Sequence, residues 1–283
     1  MSSPGTTPRR ELRVAGFFRP QHARRIDAAL EYLAAARAAG AISAGAFKLL
    51  LAGVVCGADR VANICGTYGA FLKRWQPNTA GPFALVLPLP PAGPLGRAHC
   101  EDANQLVRRL EQPLDVLYID PPYNGREYCA NYHVLEVIAR RPFLDAAALR
   151  RLEASIYGKT GLVPYERSRY CRRRQVAAAL AELVAAAPAR HVVVSYSEEG
   201  LLGAEEIRQA LARGLGVAPS AIEHHRLSLR RFRSDADGRS ARLDGERRTR
   251  PRRYRQLEGR GRDELQEWLF YARRPLAAAG RTA

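Results

Sequence analysis

Asp115-Val116-Leu117-Tyr118-Ile119-Asp120-Pro121-Pro122-Tyr123 is the stretch whose reading decides the fold. Val116 to Ile119 form a short apolar run rich in β-branched and aromatic residues, which suits a strand buried on both faces, as in a parallel sheet. The prolines cannot continue a central ladder, so the strand stops at Asp120. In an open α/β sheet, ligands bind at the carboxyl ends of the strands. A carboxylate, a stiff proline pair and an aromatic ring therefore stand at the expected edge of a site. An ordinary turn after a strand would also use Asp and Pro, but a motif gains weight from its context, and here a buried strand leads into it.

Around this point the chain resembles a known family. Asp120-Pro121-Pro122-Tyr123 is similar to the catalytic motif of amino-group methyltransferases that use S-adenosylmethionine. The wider run DPPYNGREYCANYHVLE, Asp120 to Glu136, resembles the D12 class of DNA adenine-N6 methyltransferases, the DNA adenine methylase family. The likeness runs from about Phe17 to Arg274. It implies an α/β fold built on the Rossmann-like sheet of S-adenosylmethionine-dependent methyltransferases. It also implies catalytic roles for Asp120, Pro121, Pro122 and Tyr123, with Asp120 and Asp102 as cofactor contacts.

Composition agrees with a polyanionic partner. The chain has 283 residues and a formal net charge of +17, nearly all its cations being Arg. Such an excess points to nucleic acid or an anionic membrane surface, and Arg binds phosphate bidentately. No stretch approaches the roughly 20 apolar residues that span a bilayer. The first residues, MSSPGTTPRRELR, lack the apolar core of a signal peptide. A cytoplasmic protein is expected. Its five cysteines form no C-x-x-C pair, so reduced thiols are expected, with no disulfide framework and no metal site.

In chain order, residues 1–16 read as a mobile lead-in and 17–75 as a helical region. Ile26, Leu30 and Leu33 mark a helix from about His22 to Ala39, ended by Gly40. Ser43 can cap a second helix, giving a helical hairpin. Ala58–Trp75 then mixes Arg60, Lys73 and Arg74 with Asn63, Tyr68, Phe71 and Trp75. Basic residues interleaved with aromatics can hold phosphates and stack on bases; an amphipathic helix with aromatics turned inward reads equally well. The resemblance implies a DNA-facing role and makes Arg60, Asn63, Tyr68 and Lys73 candidate DNA contacts.

Residues 76–96 are dense in Pro and Gly and read as an extended connection. The α/β core is expected over 97–274. A short strand through Ala98–Cys100 would lead to Asp102, which caps the next helix or contacts the cofactor, or does both. After Tyr123, Asn124-Gly125-Arg126 signals a turn, and a helix follows from Tyr128 to Arg140. Its His133 and Glu136 share a face and suit a supporting or surface role. GKT at 158–160 is not a phosphate loop, because no glycine stands five residues before Gly158. Arg167–Arg174 either touches DNA backbone or begins a solvated helix. His191–Tyr196 is the second buried strand, and the resemblance implies that its end helps to form the target-base pocket. Ala221–Phe232 and Glu264–Tyr271 read as further strands. Residues 233–262 read as a long basic loop, and 275–283 as a frayed tail. Arg126, Tyr128, Arg172, Arg173, Arg230 and Arg231 complete the candidate DNA contacts.

The chain departs from the family pattern in one respect. Members carry a glycine-rich F-x-G-x-G segment after their first strand, and none precedes Asp120 here. The sheet is therefore expected to be N-terminally incomplete. A separate chain carrying that segment is an expected partner, beside duplex DNA with its adenine flipped out. A nucleic-acid-binding remnant, one half of a split enzyme and an RNA adenine-N6 methyltransferase are the competing readings.

The basic loop yields the first prediction. Neutralising three of its arginines should lower affinity about equally across DNA sequences. The slope of log affinity against log salt should fall by roughly one unit for each arginine that had neutralised a phosphate. Titrations at several salt concentrations check this.

Overall fold

In the computed structural model, residues 16–88, 93–94, 96–230 and 264–275 are described. The chain gives helices α1 (Pro20–Ala38), α2 (Ala44–Arg60) and α3 (Ala103–Leu106), then strand β1 (Leu114–Ile119). Helices α4 (Tyr128–Asn131), α5 (His133–Arg140), α6 (Ala146–Ser155) and α7 (Val176–Ala186) follow. After them come β2 (Ala189–Ser197), α8 (Ala204–Leu215), β3 (Glu223–Arg230) and β4 (Glu264–Arg273). The expected basic loop, the lead-in and the tail beyond residue 275 lie outside the described residues.

The chain forms two compact units. One holds the residues up to 95 together with Glu127–Glu166; the other holds Gly96–Arg126 and the residues from Arg167 onward. This differs from the expected unbroken core over 97–274. The reason is packing: Val134 and Ile138 of α5 join Phe47, Val54 and Ala58 of α2 in one apolar cluster.

In the helical unit, the expected hairpin forms. Ile26, Leu30 and Leu33 of α1 belong to the same buried cluster as α2. Gly40, at a φ of +69°, lets the chain leave α1 in the left-handed region. The Ser43 hydroxyl accepts the Ala46 N–H at 3.1 Å and so caps α2. Beyond Arg60 the helix does not continue, contrary to the helical region expected over 17–75. Asn63 stops it: its side-chain amide donates to the Gly16 and Leu72 carbonyls, and its oxygen accepts the Gln76 N–H. A turn through Gly66 follows, at a φ of +88°. His133 is a supporting residue here, its ring nitrogens bonding the Ala130 and Thr160 carbonyls.

The second unit is built on a mixed four-stranded sheet of order β1-β2-β4-β3. β1 and β2 run parallel, pairing Leu117 with Val192 and Ile119 with Val194. β4 runs antiparallel to both its neighbours, pairing Phe270 with Val194 on one side and with His224 on the other. Ile119, Val192, Val194, Tyr196 and Phe270 turn to one face, where they share a core with Leu180 and Val184 of α7 and with Ile207 and Leu211 of α8. The opposite face is exposed at β1 and β3, where Val116 is 55% and Tyr118 58% exposed and Leu227 and Leu229 are exposed too, while Ser195 and Ser197 of β2 are buried on it. That corrects the expectation of a strand buried on both faces. Among the described residues β1 pairs only with β2, so an apolar run that resembles a central parallel strand lies at an edge. The expected strand at Ala98–Cys100 is likewise irregular chain; among the described residues no neighbouring strand pairs with it.

One contact holds α7 to this sheet, and another holds α8 to α7. The Arg274 guanidinium donates to the Val184, Ala187 and Ala189 carbonyls, satisfying the end of α7 and the start of β2. Gly214 lets α8 approach α7: a Cβ there would stand 2.6 Å from the Ala181 carbonyl oxygen. Gly to Ala inside a helix ordinarily stabilises by up to about 1 kcal/mol. Here the sign should reverse, because backbone must shift, and Gly214→Ala should cost roughly 1–3 kcal/mol. Urea unfolding of the parent and the variant measures it.

Candidate active site

The chain leaves β1 at Ile119 and turns at once, because Pro121 and Pro122 cannot extend the ladder. Asp120 is exposed at the strand's carboxyl end, while Pro121 is buried and Pro122 and Tyr123 are half-buried. The turn is pinned to the segment that follows β2. The Tyr123 carbonyl accepts the Leu201 N–H at 2.7 Å, and the Tyr123 and Tyr196 rings lie 5.3 Å apart between centroids. Gly200 makes room for this tilted ring pair, since a Cβ there would stand 2.2 Å from the Tyr196 ring. The expected turn at Asn124 forms, its side-chain oxygen accepting the Arg126 N–H at 2.9 Å.

The Tyr123 hydroxyl lies among three oxygen-bearing groups. Asp120 Oδ1 is 2.7 Å away, Glu267 Oε1 2.8 Å and Ser195 Oγ 3.3 Å. Ser195 in turn donates to Glu267 Oε1 at 2.6 Å. Burial pushes the Tyr123 phenol well above its ordinary range, and the Asp120 and Glu267 carboxylates add to the rise against the opposing Ser195 hydrogen bond. The phenol therefore stays protonated at neutral pH, and the cluster is rich in acceptors.

Asp102 caps α3, its Oδ1 accepting the Gln105 N–H at 3.0 Å, and remains exposed. Behind it, Asn104 is buried, donating to the Ala179 carbonyl and accepting from the Tyr170 hydroxyl. The expected DNA contacts divide. Arg60 and Lys73 are exposed on the helical unit, as is Tyr128. Asn63 and Tyr68 are 1% and 0% exposed. Asn63 holds the turn described above, and the Tyr68 hydroxyl donates to Asp59 at 3.1 Å. Both are framework residues, and the inward-packing reading of their segment holds for them. In the sheet unit Arg126 is exposed and Arg172 half-buried, while Arg173 pairs with Glu206 at 2.6 Å. Arg230 ends β3; Arg231 lies outside the described residues.

Comparison with known proteins bears on this arrangement. The profile of the D12 class N6 adenine-specific DNA methyltransferases matches residues 17–208. The chain belongs to that family. It is 40% identical over 192 residues to type II methyltransferase M.FokI of Planomicrobium okeanokoites, covering 66% of this chain and 27% of that protein. It is 34% identical over 198 residues to type II methyltransferase M.NlaIII of Neisseria lactamica, covering 70% of this chain and 56% of that one. Modification methylase StsI of Streptococcus sanguinis is 29% identical over 168 residues, which cover 58% of this chain and 24% of that protein. The chain thus spans from about a quarter to just over half of the length of these relatives. No solved structure matches it. Among the described residues of this family member, no helix is long and apolar enough to cross a membrane.

Sequence reading missed Glu267 and did not single out Ser195. The available signal was a carboxylate directly before the apolar run Trp268–Tyr271, on a strand whose neighbour could not be known from one chain.

The Tyr123 shift has a testable sign. A phenol raised in the folded state contributes stability that is present below the ordinary phenol pKa of about 10 and is lost as pH rises beyond it. Tyr123→Phe lacks that contribution. Its stability should fall less steeply above about pH 10 than the parent's; Tyr68, Tyr170 and Tyr196, raised too, are common to both proteins. Urea unfolding across that pH range compares the slopes.

Proposed function

We propose that this chain carries the methyl-transfer site of a site-specific DNA methyltransferase, moving a methyl group from S-adenosylmethionine to the N6 amino group of adenine. The observation that carries the reading is the exposed Asp120 carboxylate at the carboxyl end of β1, 2.7 Å from the Tyr123 hydroxyl. Membership of the family supports it.

The chemistry follows from the residues. An exocyclic amino group is a poor nucleophile, because its lone pair is delocalised into the ring. Asp120 and the Pro121 carbonyl accept its two N–H groups. This favours a pyramidal nitrogen and offsets the positive charge that develops on it. The proline pair holds that carbonyl with little freedom to lose. Tyr123 offers a ring face to the base, which must leave the duplex stack to reach a site at the end of a sheet. The sulfonium donor supplies an activated methyl when bound. Its fit rests on Asp102: one oxygen holds the start of α3 and the group stays exposed, so the carboxylate can also accept a hydrogen bond from the adenine part of the donor. Arg60, Lys73, Arg126 and Arg172 would meet phosphates, which position DNA without reading its sequence. The cytoplasm is the expected place of work.

Asp120→Ala should lower methyl transfer by on the order of a hundredfold or more, since it removes an interaction that strengthens as charge develops. DNA binding should hardly change. Incorporation of labelled methyl into unmethylated DNA, beside a binding titration, tests both; turnover within about threefold of the parent would remove Asp120 from its role.

A further inference from the structure

Glu267 lies beyond the residues matched by the family profile. Its surroundings give it work to do. The Tyr123 hydroxyl carries a single proton, yet two carboxylate oxygens stand within bonding distance of it, Asp120 Oδ1 at 2.7 Å and Glu267 Oε1 at 2.8 Å. Only one can receive that proton. The Ser195 hydroxyl, on a residue only 5% exposed, already gives its own to Glu267 Oε1. One of the two carboxylates therefore faces the lone pairs of the phenol oxygen, an arrangement that an incoming N–H donor relieves. The strands fix the geometry. Glu267 pairs with Ser197 across β2 and β4, so it shares a face with Ser195 two residues back.

We infer that Glu267 is a positioning residue: it takes the Tyr123 hydroxyl proton and so releases Asp120 to accept the amino group of the target base, while the ring stays where it can stack. The inference rests on the methyl-transfer reading above. Ser195 anchors the Glu267 carboxylate while it does so. With glutamine at 267, the side-chain amide could donate to the phenol oxygen, and the phenol would then commit its proton to Asp120.

Glu267→Gln should therefore lower kcat by about tenfold or more while KM for DNA stays within about threefold. Because the effect runs through the phenol, adding Glu267→Gln to Tyr123→Phe should slow that variant little further; a merely structural role would give additive losses. A second measurement does not need turnover. In protein labelled with 3-fluorotyrosine, the Tyr123 fluorine resonance, assigned by its loss in Tyr123→Phe, should shift in Glu267→Gln. An unmoved resonance, an unchanged kcat or additive losses would each overturn the inference. A parent chain that leaves adenine unmethylated even when a chain carrying the glycine-rich segment is supplied would overturn the proposed reaction instead, and the fluorine measurement would still decide whether Glu267 holds the Tyr123 hydroxyl.

Discussion

The pairing of β2 on both its edges is the constraint on which the sheet unit depends. Val194 faces Ile119 across a parallel ladder and Phe270 across an antiparallel one. A slip of one residue in either ladder would turn every side chain of that neighbour to the opposite face. Asp120 follows Ile119 directly, and Glu267 precedes Phe270 by three residues on the face opposite to it. The meeting of two carboxylates at one phenol is thus a consequence of strand register. Loop flexibility could not deliver it, since both groups project from ladder ends, and Leu201 ties the intervening turn to the Tyr123 carbonyl.

Much of this was legible in the sequence. The switch from an apolar run to Asp-Pro-Pro-Tyr marks a strand end because proline cannot donate to a ladder, and that local rule holds in any tertiary context. The α1–α2 hairpin was readable for a like reason: Ser43 and Gly40 act within a turn of their own position. The resemblance over Asp120–Glu136 then pointed to the chemistry proposed for the strand end.

What remained hidden depends on partners distant in sequence. Whether β1 is central or at an edge depends on what pairs with it, and its own letters suit both. Asn63 and Tyr68 looked like nucleic-acid contacts because polar and aromatic residues serve binding and buried hydrogen bonding alike. Only the carbonyls of Gly16 and Leu72 and the carboxylate of Asp59 decide between those uses. Glu267 is 144 residues from Tyr123, and no periodicity within β4 announces a partner so far away. The division into two units was illegible too: α5 follows the motif directly, yet its apolar face belongs to the helical core.

The strand order carries a consequence for synthesis. β4 lies between β2 and β3 although it follows both along the chain. As the protein leaves the ribosome, β2 and β3 must therefore wait with open ladder edges until the strand that joins them has emerged. Domains commonly fold during synthesis at about 5–20 residues per second, and the length of chain between β3 and β4 extends that interval. The last strand also delivers Glu267 and, one residue past its end, Arg274, which closes α7. A nascent chain could thus present Asp120-Pro121-Pro122-Tyr123 well before the partner that steers it arrives, so on this fold the completion of the site is timed by translation itself.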